Sequence, residues 1–442
     1  MAIRKSPSDF LVEEVLADAV AAGAREGAAS ASEPGPARAN GAAAFKPERA
    51  PGWGHAVFRL SKTSLTTPEA IERLGKALRF KPAKVDYAGL KDKHAVTVQF
   101  VSAPGIDPRR IPSGQRGLGG PGWAATFVGW SSRPMTAEMI RGNRFRIVVR
   151  DLAREASDEM ERRAGLLEAP SDGTGGRRLW VINYFGAQRF GSARHGKGFV
   201  AEALVKGEFE AGLRLAIGTP ARKDSGRTRD FTRILASRWG DWEGLAATLP
   251  KCPERGAIEV LAERTRRSGA PGPADFRDAF SALPFFLQAM YLEALQSKLW
   301  NATARRLVND VNAGSKVARS LVSEDQYGTM AFAPAASLGK EWLALQVPLL
   351  APKTKPAPPW WPAAEAALAE SSLTLSSLQI PGLARPYFGE ALRPMVAEAS
   401  EFVLSAAEAD EGLPGSKRVK RTVSFQLPRG AYATVVLRAL GQ

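Results

Sequence analysis

Short segments with the apolar and polar pattern of β-strands fill the first part of the chain. These segments are 10–15, 56–60, 96–101, 124–130 and 141–150. In segment 96–101, apolar residues alternate with polar ones at most positions, which predicts a strand with one buried face. Several strands interleaved with a helix predict an α+β fold with a largely antiparallel sheet.

One helix is predicted among these strands. Ile71, Leu74 and Leu78 recur at the spacing of a single helical face. Thr67 has a side chain suited to the N-cap of a helix, and Pro68 fits the first helical position. The sequence therefore predicts an amphipathic helix over 68–79.

The later part of the chain has a different pattern, because long helical stretches replace the strands. After about residue 183 the clearest example is 285–308, in which Leu292, Leu295 and Leu299 form part of an apolar stripe. From about residue 386 the strand pattern returns, and a closing helix is predicted over 431–440.

These changes of pattern predict two domains. Residues 1–183 and 386–442 form a strand-rich domain, and residues 184–385 form a mostly helical insertion within it. The stretch 17–51 is mostly Ala, Gly, Glu, Ser and Pro, so it cannot bury enough surface to offset its ordering entropy. It is predicted to be a flexible insertion, with an Ala-rich helix over 17–29 as the alternative for its first part.

Composition narrows the class of protein. The 442 residues include 61 Lys and Arg against 45 Asp and Glu, and the net charge of +16 indicates a polyanionic partner such as nucleic acid. One cysteine and three histidines exclude an intrachain disulfide framework and a cysteine-based zinc site. We expect a cytoplasmic protein without a membrane segment, because no apolar run reaches about 18 residues and the N-terminus is polar.

A carboxylate between two lysines is the first candidate for chemistry. Gly89 permits a tight turn after a short predicted strand, and Asp92 follows with Lys91 and Lys93 on either side. Neighbouring cations favour the ionised carboxylate, which is the form that a nucleophile requires. The alternative interpretation is a solvated hairpin turn with mixed charges.

Two further segments combine groups that can bind RNA. Asn143 can hydrogen-bond a base edge or orient a carboxylate, and Phe145 can stack on a base. The alternative for Phe145 is an ordinary core position in a strand. Segment 183–191 joins aromatic residues to an arginine and to glycines, which suits stacking and phosphate contact. Its alternative is a packed loop between domains.

Taken together, these motifs resemble the TruD family of pseudouridine synthases. The matching segments stand in the family's order along the chain: 5–14, 88–99, 142–145, 183–191 and 427–438. Their sequences include Ala-Gly-Leu-Lys-Asp-Lys-His-Ala-Val-Thr, Gly-Asn-Arg-Phe and Asn-Tyr-Phe-Gly-Ala-Gln-Arg-Phe-Gly. Each match alone is weak, whereas all of them in register over most of the chain are highly specific.

The resemblance implies a pseudouridine synthase catalytic domain with the family's TRUD domain inserted after about Tyr184. It implies isomerisation of uridine to pseudouridine in RNA, at position 13 of tRNA in bacterial members, with no cofactor, no metal and no obligatory protein partner. The family's catalytic aspartate maps onto Asp92, and its substrate-binding residues map onto Phe10, Asn143 and Phe145.

Several alternatives remain open at this point. Asp92 attacks either the ribose C1′ or the uracil C6, and Asp92 or a water takes the C5 proton. Lys91, Lys93 or Arg4 orients the carboxylate. A non-catalytic basic RNA-binding or ribosome-assembly protein would share the charge and the aromatic residues. A methyltransferase is disfavoured, because no GxGxxG loop follows a predicted strand.

Overall fold

The computed structural model describes most of the chain. The described residues are 2–3, 5–17, 45–46, 48–81, 84–111, 117–171, 173, 175–220, 226–250, 252–313, 321–413 and 415–442. Arg4 lies outside the described residues. So do residues 18–44, which make up most of the predicted flexible insertion. Phe45 is 1% exposed and packs in a core cluster with Leu16, so the end of the stretch predicted to be flexible is part of the fold.

The strands and helices are numbered in chain order. The strands are β1 Ala2–Ile3, β2 Phe10–Leu16, β3 His55–Thr63, β4 Asp86–Tyr87, β5 Val96–Pro104, β6 Leu118–Gly120, β7 Trp123–Ser131, β8 Ile140–Leu152, β9 Arg177–Ile182, β10 Val322–Asp325, β11 Gly328–Ala331, β12 Gln346–Leu349, β13 Ala391–Pro394, β14 Val396–Leu404, β15 Glu408–Ala409 and β16 Val419–Pro428. The helices are α1 Thr67–Leu78, α2 Arg154–Leu167, α3 Val200–Val205, α4 Phe209–Ile217, α5 Gly226–Ser237, α6 Trp242–Thr248, α7 Arg255–Ser268, α8 Pro273–Ser281, α9 Phe285–Val311, α10 Lys340–Ala344, α11 Trp361–Glu370 and α12 Ala433–Ala439.

The chain divides into two compact units. The strand-rich unit consists of Met1–Trp180 and Glu398–Ala433, and the helical unit consists of Val181–Ala397 and Thr434–Gln442. The sequence places the domain boundaries at 183/184 and 385/386, whereas the compact units divide at 180/181, 397/398 and 433/434.

One large sheet organises the strand-rich unit. Its strand order is β6-β7-β3-β5-β2-β8-β16-β14-β9, with β1 beside β8, β15 beside β16 and β4 beside β5. Strands β2 and β5 run parallel, whereas the pairs β3–β5, β3–β7, β2–β8 and β8–β16 are antiparallel. The predicted α+β fold with a largely antiparallel sheet is therefore confirmed.

Helix α1 begins one residue earlier than predicted, because a different threonine caps it. Thr66 accepts the backbone NH of Glu69, and the Glu69 side chain accepts the backbone NH of Thr66. The hydroxyl of Thr67, the predicted cap, instead donates to Gln99 of β5 at 2.9 Å. This bond joins the start of the helix to the middle of the sheet.

The prediction of one buried face for strand β5 is wrong, because nearly all its residues are buried and both faces of the strand are covered. On one face Val101 packs in a cluster with Leu74 of α1. On the other face Phe100 packs in a second cluster with Val57 and Phe45. A strand in the middle of a sheet that is covered on both sides buries the side chains of both its faces.

Helices dominate the other unit. Helix α9, predicted over 285–308, extends over Phe285–Val311 and buries Trp300, Leu292 and Leu295. Strands β10 and β11 form one antiparallel hairpin, and β12 pairs antiparallel with β13. No helix in the described ranges combines the length and the apolar character needed to cross a membrane.

Candidate active site

A row of paired residues crosses the middle of the large sheet. Lys62 of β3 pairs with Thr97 of β5, Thr97 with Val12 of β2, and Val12 with Phe145 of β8, which pairs with Phe425 of β16. Paired residues in adjacent strands point to the same side of a sheet. We call the side that carries these five residues the site face.

The other predicted substrate-binding residues lie on the same face. Asn143 is two residues from Phe145 on β8 and pairs with Glu14 of β2. Phe10 lies two residues from Val12, and its ring meets that of Phe145 edge to face with centroids 6.3 Å apart. Phe10, Asn143 and Phe145 therefore lie on one face of the sheet, on neighbouring strands.

The two phenylalanines are largely buried in this structure. Phe10 is 4% exposed and Phe145 is 8% exposed, and the Phe145 ring also packs against Phe425 at 5.6 Å. This burial is what the interpretation of Phe145 as a core residue requires. A base that binds here would meet the small exposed part of the aromatic cluster.

Position 142, immediately before Asn143, requires a glycine. A Cβ atom at Gly142 would collide with the backbone oxygen of Leu427 on the paired strand β16. The adjacent Oδ1 atom of Asn143 is buried and has no hydrogen-bond partner among the described residues. A buried amide oxygen without a partner is suited to accept a hydrogen bond from a water or a ligand.

The loop that carries Asp92, residues 88–95, is anchored on the site face through Lys91. The Lys91 ammonium lies 2.6 Å from Oε1 of Glu14, whose side chain is fully buried. The backbone NH of Lys91 donates to the hydroxyl of Thr67 at 3.1 Å. Glu14 also accepts the backbone NH of Phe100 at 2.8 Å, so one carboxylate connects β2, β5 and the loop.

Asp92 itself is held at both its backbone and its side chain. Its Oδ1 atom accepts the backbone NH of His94 at 2.9 Å, and its backbone oxygen accepts the ammonium of Lys62 at 2.7 Å. Asp92 is half-buried, so its carboxylate is fixed yet partly accessible. A half-buried carboxylate with a fixed position is suited to act as a nucleophile.

Lys62 is a functional candidate that the sequence motifs do not reveal. The alternation of residues along β3 could have identified it, since Lys62 follows Phe58 and Leu60 at every second position and so points to the same face. Phe58 and Leu60 are buried in the core, and Lys62 is 0% exposed. A lysine at a core-facing position of a strand needs a partner or a function, because burial of an ammonium costs free energy.

Burial shapes the electrostatics of this site. Desolvation lowers the pKa of Lys62 from 10.5 to about 8, although Asp92 and Glu69 oppose the shift. Desolvation also raises the pKa of Glu14, while Lys91 and the NH of Phe100 act in the opposite direction. The site face therefore holds an ammonium and a carboxylate that are both tuned by burial.

The other predicted orienting cations have different positions. Lys91 forms its ion pair with Glu14, as described above. Lys93 lies 4.0 Å from Glu69, and both side chains are about half exposed. Arg4 lies outside the described residues. Lys62 is the cation that bonds directly to Asp92 in the described part of the chain, through the backbone oxygen.

Segment 183–191 lies in the helical unit, where its first residues form a packed loop and its last residues begin the 3-10 helix Ala187–Gly196. Tyr184 is 0% exposed and donates its hydroxyl to the backbone oxygen of Ala331 at 2.7 Å. Phe185 is 5% exposed, packs edge to face on Trp300, and has the guanidinium of Arg393 4.0 Å from its ring centroid. These aromatic rings are therefore occupied by packing, which favours the structural interpretation of this segment.

Hydrogen bonds from Arg393 account for the asparagine at position 183, the first residue of the segment. Its guanidinium donates to the backbone oxygen of Asn183 at 2.8 Å and to the Asn183 side chain at 2.7 Å. The Asn183 amide in turn donates to the backbone oxygen of Pro394 at 3.1 Å. Asn183 and Arg393 thus tie the segment to β13.

No group of three or more metal-ligating side chains occurs in the described ranges.

Comparison with known proteins agrees with the sequence motifs. The sequence profile of the family described as "tRNA pseudouridine synthase D (TruD)" matches residues 1–440. The tRNA pseudouridine synthase D of Aquifex aeolicus is 28% identical over 392 residues, covering 87% of this chain and 91% of that protein. The protein of the same name from Geobacter sulfurreducens is 29% identical over 391 residues, covering 87% of each.

A solved structure has the same fold. The crystal structure of the TruD protein of Methanosarcina mazei covers 99% of this chain and 92% of its own, with a TM-score of 0.64 and 22% sequence identity. The predicted fold and the predicted class of enzyme are confirmed by these comparisons. The chain belongs to the TruD family of pseudouridine synthases.

Proposed function

We propose that this enzyme converts uridine 13 of tRNA to pseudouridine and that Asp92 is its nucleophile. Relatives from Aquifex aeolicus and Geobacter sulfurreducens are named for action on tRNA. The net charge of +16 suits a polyanionic substrate. Because the substrate is tRNA, we assign the reaction to the cytoplasm.

The observation that carries the assignment of Asp92 is its setting on the site face. Its carboxylate accepts the NH of His94, its backbone accepts the Lys62 ammonium, and it remains partly accessible. A solvated turn with mixed charges would not need a fully buried lysine beneath it. The cost of that burial supports a catalytic role for the loop.

The chemistry is an isomerisation in which nothing is consumed. The target uridine is first extruded from the RNA stack into the site. Asp92 attacks C1′ or C6, the bond between N1 and C1′ breaks, and the base turns over. A bond then forms between C5 and C1′, and the bond between Asp92 and the substrate breaks, which frees the carboxylate. Asp92 or a water takes the proton from C5, and N1 gains a proton from solvent. A covalent intermediate divides this exchange into two easier steps.

Phe10, Asn143 and Phe145 are proposed to bind the extruded base. The buried Oδ1 atom of Asn143, which has no partner among the described residues, can accept a hydrogen bond from the N3–H group of uracil. The edge of the aromatic cluster offers an apolar surface to the base. We further propose that the helical unit contains the family's TRUD domain and adds RNA contacts, since helix α5 exposes Arg229 and Arg233.

The test uses purified enzyme and unmodified tRNA transcripts, without any organic cofactor. Pseudouridine is mapped at nucleotide resolution in transcripts with uridine 13 and in matched transcripts with cytidine at that position. We expect one modified site, which disappears in the cytidine transcript. Modification at another uridine would overturn the assignment to position 13. Binding without modification of tRNA, ribosomal RNA or messenger RNA would instead favour the non-catalytic RNA-binding function.

A further inference from the structure

The ammonium of Lys62 has an unusual set of contacts. Lys62 is 0% exposed, and its Nζ atom donates to the backbone oxygen of Asp92 at 2.7 Å. Within the described ranges, its ammonium forms no ion pair within 4 Å with a carboxylate. The buried charge is therefore stabilised by a peptide carbonyl and by the longer-range attraction of Asp92 and Glu69. Such an arrangement is a poor way to gain stability.

The rest of the loop is held by contacts that do not involve Lys62. Lys91 is fixed by Glu14 and by the hydroxyl of Thr67. These contacts anchor the loop one residue before Asp92, and the bond from the NH of His94 fixes the carboxylate after it. Removal of Lys62 would therefore leave the loop attached at Lys91 and would release the Asp92 peptide alone.

We propose that Lys62 is a positioning residue for the reaction, which fixes the Asp92 peptide and holds a positive charge near the Asp92 carboxylate. This inference rests on the proposed role of Asp92 as nucleophile. The ammonium binds Asp92 through its carbonyl oxygen rather than through its carboxylate. A fixed peptide and a fixed charge reduce the reorganisation needed for attack.

The charges around Lys62 predict how the rate depends on pH. Burial lowers the pKa of Lys62 to about 8, Lys91 acts in the same direction, and Asp92 and Glu69 act against it. Glu14 on β2 is paired with Lys91 and partly offsets the charge of that lysine. Lys62 is therefore expected to lose its proton near pH 8, and the catalytic rate should decline above that pH.

The test compares Lys62→Met, Lys62→Arg and the control Lys76→Met under single-turnover conditions with a tRNA transcript. Lys76 is also a lysine of the strand-rich unit, but its side chain is 75% exposed on α1. For Lys62→Met we expect a rate lower by on the order of 100-fold, the scale set by a small misplacement of a reacting group. The tRNA dissociation constant should stay within about twofold of wild type, because Lys62 is buried.

The pH profile separates positioning from a purely structural role. Wild type should decline above about pH 8, whereas Lys62→Arg, whose charge does not titrate, should lose this decline and recover part of the rate. Ionisation of the uracil ring affects all variants alike, so only the difference between their profiles counts. If Lys62→Met does not fold, the comparison of the pH profiles of wild type and Lys62→Arg still decides between a positioning role and a purely structural role.

Two results would overturn the inference. One is a Lys62→Met rate equal to that of Lys76→Met, and the other is an identical shape of the wild-type and Lys62→Arg profiles. Asp92→Asn in the same assay separates this failure from failure of the proposed function. An inactive Asp92→Asn with an active Lys62→Met rejects the positioning role alone, whereas an active Asp92→Asn rejects the nucleophile.

Discussion

The loop 88–95 and the segment 183–191 look similar in sequence and differ in the structure. Both combine glycine with cationic side chains, and both match motifs of the same family. In segment 183–191 the side chains of Tyr184 and Phe185 are buried. In the loop, Asp92 is half-buried and the buried polar groups lie beneath it, on neighbouring strands.

This difference separates two reasons for a family motif. The segment 183–191 satisfies the packing of the helical unit, where Arg393 bonds to Asn183 and stacks on Phe185. The loop exposes a reactive group and depends on Lys62 and Glu14, which lie outside segment 88–99. Burial and the direction of hydrogen bonds distinguish these cases, whereas the motif alone does not.

The largest expected effect on stability is in the packed segment. Phe185→Ala should lower the free energy of unfolding by about 3–5 kcal/mol, the typical cost of removing a buried aromatic ring. The single-turnover rate of the folded protein should remain near wild type. Phe185→Leu, which keeps more of the volume, is the control and should cost less in denaturant unfolding. Normal stability with a large loss of RNA affinity would contradict the structural role.

A second effect concerns the pH dependence of stability caused by Lys62, which lies beneath the loop 88–95. The folded pKa of Lys62, about 8, lies below its unfolded value of 10.5, so the unfolded chain binds more protons between these values. The stability contribution of Lys62 should therefore rise from pH 8 to 10.5, by about 3 kcal/mol at most. Lys62→Met should lack this increase when unfolding is measured across that range. Parallel curves for the two proteins would show that Lys62 titrates normally.

A smaller effect is expected at the aromatic cluster of the site face. Phe145→Leu keeps an apolar core residue but removes the ring, so the fold should survive. Capture of the extruded base should weaken by about 1–3 kcal/mol, the size of a base-stacking contact. Single-turnover kinetics at varied enzyme concentration measures this loss. Unchanged kinetics would leave Phe145 as a core residue with no part in substrate binding.

The smallest effect is expected for Lys93. Its ammonium lies 4.0 Å from Glu69 and both side chains are about half exposed, so Lys93→Ala should change stability by less than about 1 kcal/mol. We expect the rate to change by no more than a few-fold, since Lys62 is the cation bonded to the Asp92 backbone. A loss as large as that of Lys62→Met would make Lys93 the orienting cation instead.

Local patterns predicted much of the fold. Alternation of residues predicted strands β3, β7 and β8, and helical spacing predicted α1 and α9. The motif around Gly89 predicted the loop and its candidate nucleophile. These features depend on neighbours within a few residues, which a single sequence shows directly.

The features that could not be predicted depend on residues far apart in the chain. Lys62 and Asp92 are 30 positions apart, and Glu14 reaches Phe100 across 86 positions. The burial of both faces of β5 depends on which strands and helices cover it. The packed state of Phe185 depends on Arg393, which lies on a strand more than 200 residues later. Only the folded chain brings these pairs together.

The most direct test of the central claim is Asp92→Asn, measured under single-turnover conditions with nucleotide-resolution mapping of pseudouridine. The substitution preserves size and the bond from the NH of His94 while it removes the negative charge. We predict that tRNA binding and thermal unfolding stay near wild type and that conversion falls by at least about 10⁴-fold, as for loss of an essential catalytic group. Conversion at a rate near wild type would contradict the account, because Asp92 could then not be the nucleophile.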